Sequence, residues 1–205
     1  MNLTGEVVHL TMSATPQPAR RSDAERNREK ILTAAHAAFA DPRADVSMAE
    51  VSRRAGVGMA TLYRNFANRR ELLEAVLTTE VDAVCSAADA TIGIAPAATF
   101  IEWLRYLFTF FASKRHVASE LLKHTDSKDP VFGGSRSRVA DAGRPLLRAA
   151  QQAQEIRDDL DIDQVLDLVH AVASIDAAMS HVQPILQAAI DGLRRSAAQS
   201  TAHTG

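Results

Sequence analysis

The chain has 205 residues, of which 46% are hydrophobic and 23% are charged, and its formal net charge is −2. This composition allows a packed interior in one large domain or two small ones. The sequence contains no run of about 18 apolar residues, so no transmembrane helix is predicted. The first residues also lack the charged and apolar regions of a signal peptide. Because Cys85 is the single cysteine, it cannot form an internal disulfide, and we expect a cytoplasmic protein.

The charges are unevenly distributed along the chain. Between Arg20 and Arg70 there are 11 basic residues and 6 acidic ones, a balance of +5. The rest of the chain has 12 basic and 19 acidic residues, a balance of −7. This asymmetry indicates that the first part can bind a polyanion and that the second cannot, with a chance distribution of surface charge as the alternative.

The N-terminal region is predicted to be an arm followed by a helix. Residues 1–19 contain two prolines and few large apolar residues after Leu10, which predicts a disordered arm. Ser22 then has the character of a helix N-cap, with Glu25 at the capping-box position. Apolar residues recur at helical spacing from there until Pro42 stops the pattern.

Two short helices with a glycine-containing turn are predicted next. Ser47 is a good N-cap, with Glu50 three residues later, and the helix that it begins is expected to end at Gly56. Gly58 can begin a second short helix that runs to Phe66. Helix, short turn and helix form the helix-turn-helix arrangement, which places its second helix in the major groove of DNA.

The remaining chain is also predicted to be helical, without a convincing strand. Asn68, with Glu71 at the capping-box position, begins a helix that continues to about Thr91. Further helices are predicted at 99–115, 116–124, 138–155, 162–182 and 184–197, with a loop at 125–137. Pro145 is expected to kink the third of these, and Pro184 to open the last.

Residues 22–77 resemble the DNA-binding domain of the TetR/AcrR family of bacterial regulators. The resemblance is carried by "RNREKILTAAHAAFA" and "VSMAEVSRRAGVGMATLYRNFANRRELLEAV", whose parts occur in the family's order and spacing. It implies an all-α fold with an N-terminal three-helix helix-turn-helix DNA-binding domain at 20–70. It also implies an α-helical effector-binding and dimerisation domain at 71–199 and leaves a disordered tail at 200–205.

The resemblance also assigns DNA-binding positions, which are Ser47, Met59, Ala60, Thr61, Tyr63, Arg64, Asn65 and Arg69. Four of them match positions that contact phosphate in the family: Ser47, Thr61, Tyr63 and Arg69. Asn65 matches a site that is frequently histidine.

The base-reading positions match Met59, Ala60 and Arg64. Because Met59 and Ala60 offer no hydrogen bonds to bases, we expect direct readout to depend on Arg64. Arg20 and Arg21 in the arm are candidates to enter a neighbouring minor groove, with contact to phosphate only, or no fixed contact, as the alternatives.

The acidic part contains more large apolar residues than one small core needs, so some are candidates for lining a ligand cavity, with a plain core position as the alternative for each. The candidate pocket residues are Trp103, Phe108, Phe111, His124, His170 and Met179. The last two predicted helices carry many small residues, and the resemblance implies that they form a homodimer. Such a dimer presents two recognition helices to a palindromic operator in double-stranded DNA.

The function implied by the resemblance is ligand-responsive transcriptional regulation, most often repression that a small-molecule effector relieves. We expect no enzymatic activity, cofactor, metal or membrane partner. Asp163, Asp167 and His170 share one predicted helix face and can in principle bind a cation, although a solvated acidic face is the alternative. Two other functions stay open: a transcriptional activator, or a helical ligand-binding or adaptor protein whose DNA-binding part no longer works.

Overall fold

A computed structural model describes residues 18–39, 46–90, 95–122 and 130–195, and these form eight helices. Their bounds are α1 Pro18–Phe39, α2 Met48–Ala55, α3 Met59–Asn65, α4 Arg69–Asp89, α5 Pro96–Leu122, α6 Pro130–Gln152, α7 Ile162–Ala173 and α8 Met179–Leu193. The described residues contain no strand, and a single antiparallel bridge joins Ile156 and Arg194. The predicted all-α fold is confirmed.

The first helix begins earlier than the sequence pattern predicts. Helix α1 starts at Pro18, so Ser22 lies inside the helix and is not its N-cap. Proline is tolerated in the first turn of a helix, where its missing N–H would have no partner. The alanine and arginines that follow it are good helix formers, which explains the extension. Most of the predicted arm, residues 1–17, and the tail at 200–205 lie outside the described residues.

The predicted breaks in the C-terminal half are wrong in three places. The separate helices expected at 99–115 and 116–124 form one helix, because α5 continues without a break from Pro96 to Leu122. Helix α6 starts at Pro130, so residues 130–137 are helical although they were expected to lie in a loop. The break between the last two helices falls at residues 174–178, and Pro184 lies in the second turn of α8. Proline there removes one hydrogen bond, to the carbonyl of Ser180, which is exposed and can bind water instead.

Helix α4 lies between the two halves of the molecule. It packs against α1 on one side and against α5 and α6 on the other. Its buried residues are Leu72, Leu73, Val76, Leu77, Val81, Val84 and Ala88. One helix therefore contributes to the cores of both the N-terminal and the C-terminal parts.

The core of the C-terminal part is organised around Trp103. Its indole Nε1 donates a hydrogen bond to the Val84 carbonyl over 3.1 Å, and its ring stacks on Phe100 with centroids 6.2 Å apart. The ring also lies directly against Gly143 of α6. The close contact between α5 and α6 therefore requires glycine at position 143.

The segment between α6 and α7 forms hydrogen bonds to the beginning of α5 and to the end of α8. The Glu155 carboxylate accepts a hydrogen bond from the Ala97 amide at the start of α5 over 2.8 Å. Arg157 N–H donates to the Leu193 carbonyl over 2.9 Å, and Arg195 N–H donates to the Glu155 carbonyl over 3.0 Å. These contacts hold the end of α8 and the beginning of α5 together.

None of the helices in the described ranges combines the length and apolar character needed to cross a membrane.

Candidate nucleic-acid interface and ligand cavity

The turn between α2 and α3 is fixed by a glycine and a buried serine. Gly56 has φ +66°, and its amide donates to the Arg53 carbonyl, while the Val57 amide donates to the Ser52 carbonyl over 3.1 Å. This pair of bonds is the Schellman termination of a helix. The Ser52 hydroxyl also donates to the Val57 carbonyl over 2.6 Å. The direction in which α3 leaves α2 is therefore set by the backbone.

Helix α3 is held by one face and exposed on the other. Leu62 and the following Phe66 are fully buried, so they anchor the helix to the core. Outside this buried face Met59 is 39% exposed and Tyr63 is 49% exposed. Ala60 and Arg64 are exposed beside them. A face of this kind, on a helix that follows a tight turn, can enter a DNA groove.

Two polar side chains on α3 form hydrogen bonds to groups of the preceding turn of the same helix. Arg64 donates from Nε to the Ala60 carbonyl over 3.2 Å and from Nη2 to the Thr61 hydroxyl over 3.0 Å. Asn65 is half-buried and donates from Nδ2 to the Thr61 carbonyl over 2.8 Å. Arg64 therefore has a defined orientation on the exposed face, whereas the Asn65 amide is directed along the helix.

The start of α2 also forms part of this surface. Ser47 is exposed, and its hydroxyl oxygen accepts a hydrogen bond from the Glu50 amide over 3.2 Å, as predicted for the N-cap. The Glu50 carboxylate binds Arg53 and Arg54 instead of completing a capping box. Hydrogen bonds from these two guanidinium groups lower the pKa of Glu50 to about 2.

Arg69 makes contacts inside the domain, although the sequence predicted a phosphate contact. Its side chain is half-buried, and Nη1 donates to the Val46 carbonyl. Its guanidinium carbon lies 5.1 Å from the centroid of the Phe39 ring. Because the group is directed towards the end of α1 and the residue before the α2 cap, it joins three helices at one point.

A cavity of about 430 Å³ lies between α4, α5, α6 and α7. Its aromatic lining comes from Phe110, Phe111 and Phe132, and Leu77 and Val81 of α4 form another part of its wall. The cavity is therefore mostly apolar, and it touches the helix that also packs against the N-terminal part.

The polar groups of the cavity are three serines, His170 and Arg136, and the charge of the arginine is already paired. His170 lines the cavity, and its ring lies edge-on to Phe111 with centroids 5.2 Å apart. Arg136 also lines it and binds the carboxylates of Asp167 and Asp163, at 2.9 and 3.5 Å. The two aspartates considered as cation ligands are thus occupied by an arginine. No group of residues suited to hold a metal ion occurs in the described part of the chain.

Two family models match separate parts of the chain. Residues 31–76 match bacterial regulatory proteins of the tetR family, and residues 95–195 match the C-terminal domain of SbtR-like transcriptional regulators. A crystal structure of a TetR transcriptional regulator from Streptomyces coelicolor is 31% identical, with a TM-score of 0.70 over 83% of this chain and 99% of that one. The chain belongs to the TetR family of bacterial transcriptional regulators.

Other relatives agree with membership of the TetR family. A TetR transcription regulatory protein from Mycobacterium vanbaalenii is 27% identical, with a TM-score of 0.69 and coverage of 85% of this chain and 99% of that one. An HTH-type transcriptional regulator from Staphylococcus aureus strain USA300 is 35% identical over 63 residues, or 30% of this chain. The chain spans about a third of the length of that curated relative, 34%.

In this TetR-family chain the predicted pocket residues lie at different places. Phe111 and His170 line the cavity, whereas Phe108 and Met179 line a separate open groove between α5 and α8. The ring of Trp103 is enclosed by the core and lines neither space. His124 lies outside the described residues.

Sequence reasoning also missed residues that shape the DNA-binding part. Ser52 is buried and fixes the turn, but an isolated serine in a helix carries no signal of this role. Arg28 of α1 lies with its guanidinium carbon 4.4 Å from the centroid of the Phe66 ring. Its Nη1 donates to the Asn65 carbonyl over 3.3 Å. The only sequence signal for these contacts is the position of Arg28 on the predicted first helix, on the side that faces a buried aromatic residue.

Proposed function

We propose that this TetR-family regulator is a homodimeric repressor that binds a palindromic operator and is released by a small apolar molecule. The observation that carries the proposal is the division of α3 into a fully buried face, with Leu62 and Phe66, and an exposed face, with Tyr63 and Arg64. A helix held in this way after a tight turn can enter the major groove without unfolding.

In the proposed complex the exposed residues divide into two groups. Tyr63, Thr61 and Ser47 carry hydroxyl groups that can donate to phosphate and so fix the register of the protein on the duplex. Arg64 can donate to a guanine edge. Met59 and Ala60 can contact thymine methyl groups but supply no hydrogen bonds, so DNA shape contributes to the specificity of the complex.

The proposed dimer forms through α7 and α8. Met179 is half exposed, and Ile185 is the other exposed large apolar residue of α8. Ala171, Ala177 and Ala188 are also exposed on or between these helices, which permits close approach of a second copy. A two-fold dimer would place two α3 helices about 34 Å apart, one turn of DNA.

The effector proposed for the cavity is largely apolar and uncharged. Three phenylalanines supply flat apolar walls, and the charge of Arg136 is neutralised by Asp163 and Asp167. His170, Ser119 and Ser135 also line the cavity and can hydrogen-bond to a polar atom of the ligand. An aromatic compound with a hydroxyl or carbonyl group has this chemistry.

Release of DNA would follow from the position of α4. Leu77 and Val81 line the cavity, and Glu80 on the same helix pairs with His36 of α1 over 2.7 Å. A ligand that fits better when α4 is displaced would shift the protein towards that conformation, by no more than its difference in affinity for the two states. The spacing of the recognition helices would then no longer match the groove.

The two tyrosines of the chain provide a matched test of the proposed docking. Tyr63→Phe removes the hydroxyl from the exposed face of α3, whereas Tyr106→Phe removes one from an exposed position on α5. Fluorescence anisotropy with the palindromic DNA upstream of the gene should show about a hundredfold loss of affinity for Tyr63→Phe, because each of the two subunits loses one hydrogen bond to a charged group, worth about tenfold. Tyr106→Phe should bind like the wild type. Equal affinities for all three proteins would contradict docking through Tyr63.

A reporter assay tests the sign of regulation and the effector. Expression from the bound promoter should rise when the gene for this protein is deleted, and it should fall if the protein is an activator. Compounds that raise the melting temperature of the wild-type protein should lower its DNA affinity. Val81→Trp, which fills part of the cavity, should abolish the thermal shift while the protein still binds DNA.

A further inference from the structure

Two arginines of the basic N-terminal part are directed into the helix-turn-helix and bind opposite ends of it. Arg28 is the contact at the end of α3. Its guanidinium stacks on the ring of Phe66 at 4.4 Å and donates to the carbonyl of Asn65, the last residue of that helix, over 3.3 Å. Asn65 is in the final turn, where carbonyl groups have no partner within the helix.

Arg69 is the contact at the beginning of α2. It donates to the carbonyl of Val46, which directly precedes the Ser47 N-cap, and it stacks on Phe39, the last residue of α1. Arg69 is itself the first residue of α4. One guanidinium therefore joins the end of α1, the beginning of α2 and the beginning of α4.

We propose that Arg28 and Arg69 are positioning residues, which set the orientation of the helix-turn-helix relative to α1 and α4 and do not act as phosphate contacts. The proposal rests on the proposed DNA binding, because orientation matters here for fitting the exposed face of α3 into a groove. It replaces the phosphate contact that the sequence predicted for Arg69.

The dimensions of α3 explain why such residues are needed. Seven residues form two turns, too few for a helix to be stable without tertiary contacts. Gly58 provides no side-chain cap at its beginning, so the order of the helix depends on Leu62, on Phe66 and on its last turn. A cation at the C-terminus of a helix is favoured by the helix dipole.

Arginine suits both positions better than lysine. A guanidinium is planar and can stack on an aromatic ring while it donates hydrogen bonds in its own plane. The ammonium of lysine is a compact charge on a flexible chain, so it preserves a phosphate contact better than it preserves this combined geometry.

The experiment measures operator affinity as a function of salt concentration for full-length Arg28→Met, Arg28→Lys, Arg69→Met and Arg69→Lys. The matched control is Arg26→Met, because Arg26 is also exposed on α1 and pairs only with Asp23 of its own helix among the contacts of the described residues. Each methionine variant should lose about a hundredfold in affinity, because a dimer loses one charge-assisted hydrogen bond, worth about tenfold, from each subunit. The slope of log K against log salt should equal that of the wild type, and lysine should restore less than half of the lost logarithmic affinity.

The opposite pattern would overturn the proposal. A phosphate contact contributes about 0.9 to the salt slope, so its loss from both subunits of a dimer would flatten the slope by about 1.8. Flattening of this size in Arg28→Met and Arg69→Met, with recovery in the lysine variants, would make them phosphate contacts. Unchanged affinity in both methionine variants would also overturn it. Arg26→Met shows the effect on affinity of removing an arginine charge from α1 while both positioning residues stay in place.

Hydrogen–deuterium exchange without DNA separates this proposal from the proposed function. In the full-length protein Arg28→Met should speed exchange of the amides at 62–66, and Arg69→Met should speed exchange at 47–51, while amides of α6 exchange as in the wild type. If the wild-type protein binds no DNA, the proposed function fails, but the exchange measurement still tests whether Arg28 and Arg69 position the helix-turn-helix. Unchanged exchange in both segments would contradict the positioning role, whatever DNA affinities the variants show.

Discussion

Replacing Gly143 with alanine would insert a methyl group into the contact between α6 and the Trp103 indole. A Cβ atom at this position would lie 2.3 Å from Trp103 Cη2 and 2.6 Å from Cζ3, with Ile162 Cδ1 at 3.1 Å. The first two distances are far below van der Waals contact, so the indole or the helix must move. The indole is not free to do so, because Nε1 binds the Val84 carbonyl and the ring stacks on Phe100.

The expected cost combines two effects. Overpacking of a core costs about 1–3 kcal/mol, and an indole that moves away leaves its buried N–H without a partner at a cost of about 1–3 kcal/mol. Alanine recovers about 0.5–1 kcal/mol because glycine is unfavourable inside a helix. We therefore expect Gly143→Ala to lower the free energy of unfolding by about 3 kcal/mol, which corresponds to a fall in Tm of roughly 10 °C for a chain of this size.

Thermal unfolding followed by circular dichroism measures the effect, at one fixed protein concentration. Gly134→Ala is the control, because Gly134 lies in the same helix and an added Cβ would have no atom within 4 Å. It should raise the stability by about 0.5–1 kcal/mol. In a Trp103→Phe background the smaller ring should make Gly143→Ala cost less than about 1 kcal/mol. A Tm for Gly143→Ala at or above that of the wild type would refute the reasoning.

Three further predictions concern the turn, an ion pair and the cysteine. Gly56→Ala should destabilise the protein by about 1 kcal/mol in urea titration, because φ is +66° there and alanine is strained at that angle. The pKa of Glu50 is lowered from 4.5 to about 2, so its stabilising effect is present above pH 4.5 and is lost as the pH falls towards 2. The Tm difference between wild type and Glu50→Gln should therefore shrink over that range, and a constant difference would contradict the pairing. Burial raises the pKa of the Cys85 thiol, so at pH 7.5 a disulfide reagent should react more slowly with the folded than with the unfolded protein.

The N-terminal elements could be predicted well because local side chains determine them. Ser47 and Asn68 each accept a hydrogen bond from the amide three residues later, and Gly56 adopts the left-handed conformation expected at a helix end. Such caps involve residues close together in sequence. Even there some details differ. Glu71 accepts from the Ala67 amide and Glu50 binds Arg53, so neither completes a capping box, and Ser22 lies inside α1.

The breaks in the C-terminal part could not be predicted because prolines are ambiguous. Pro130 begins a helix, Pro145 lies within one, and Pro184 lies in the second turn of another. Whether a proline ends a helix depends on whether the carbonyl it leaves unpaired can find water, which the sequence does not specify. The start of α7 is in contrast readable from the sequence, because its capping box joins Asp161 and Gln164, three positions apart.

The contacts of charged side chains were the least predictable part of the candidate site. Position in the family pattern indicated a phosphate contact for Arg69, yet its partners come from residues 30 and 23 positions earlier, Phe39 and Val46. Arg136 similarly binds Asp163 and Asp167 of another helix. Such pairs depend on tertiary structure, and one sequence without its relatives does not show them.

Because α4 packs against both the N-terminal and the C-terminal part, it limits where this protein can be joined to another in a chimera. The helix packs against α1 as well as against α5 and α6, and Arg69 at its first turn binds Val46. A chimera joined at residue 70 would give α4 to the C-terminal donor and leave the N-terminal part without the helix that covers it. A junction at 91–94 keeps α4 with its N-terminal partners, and its other face must then be matched to the new sensor domain.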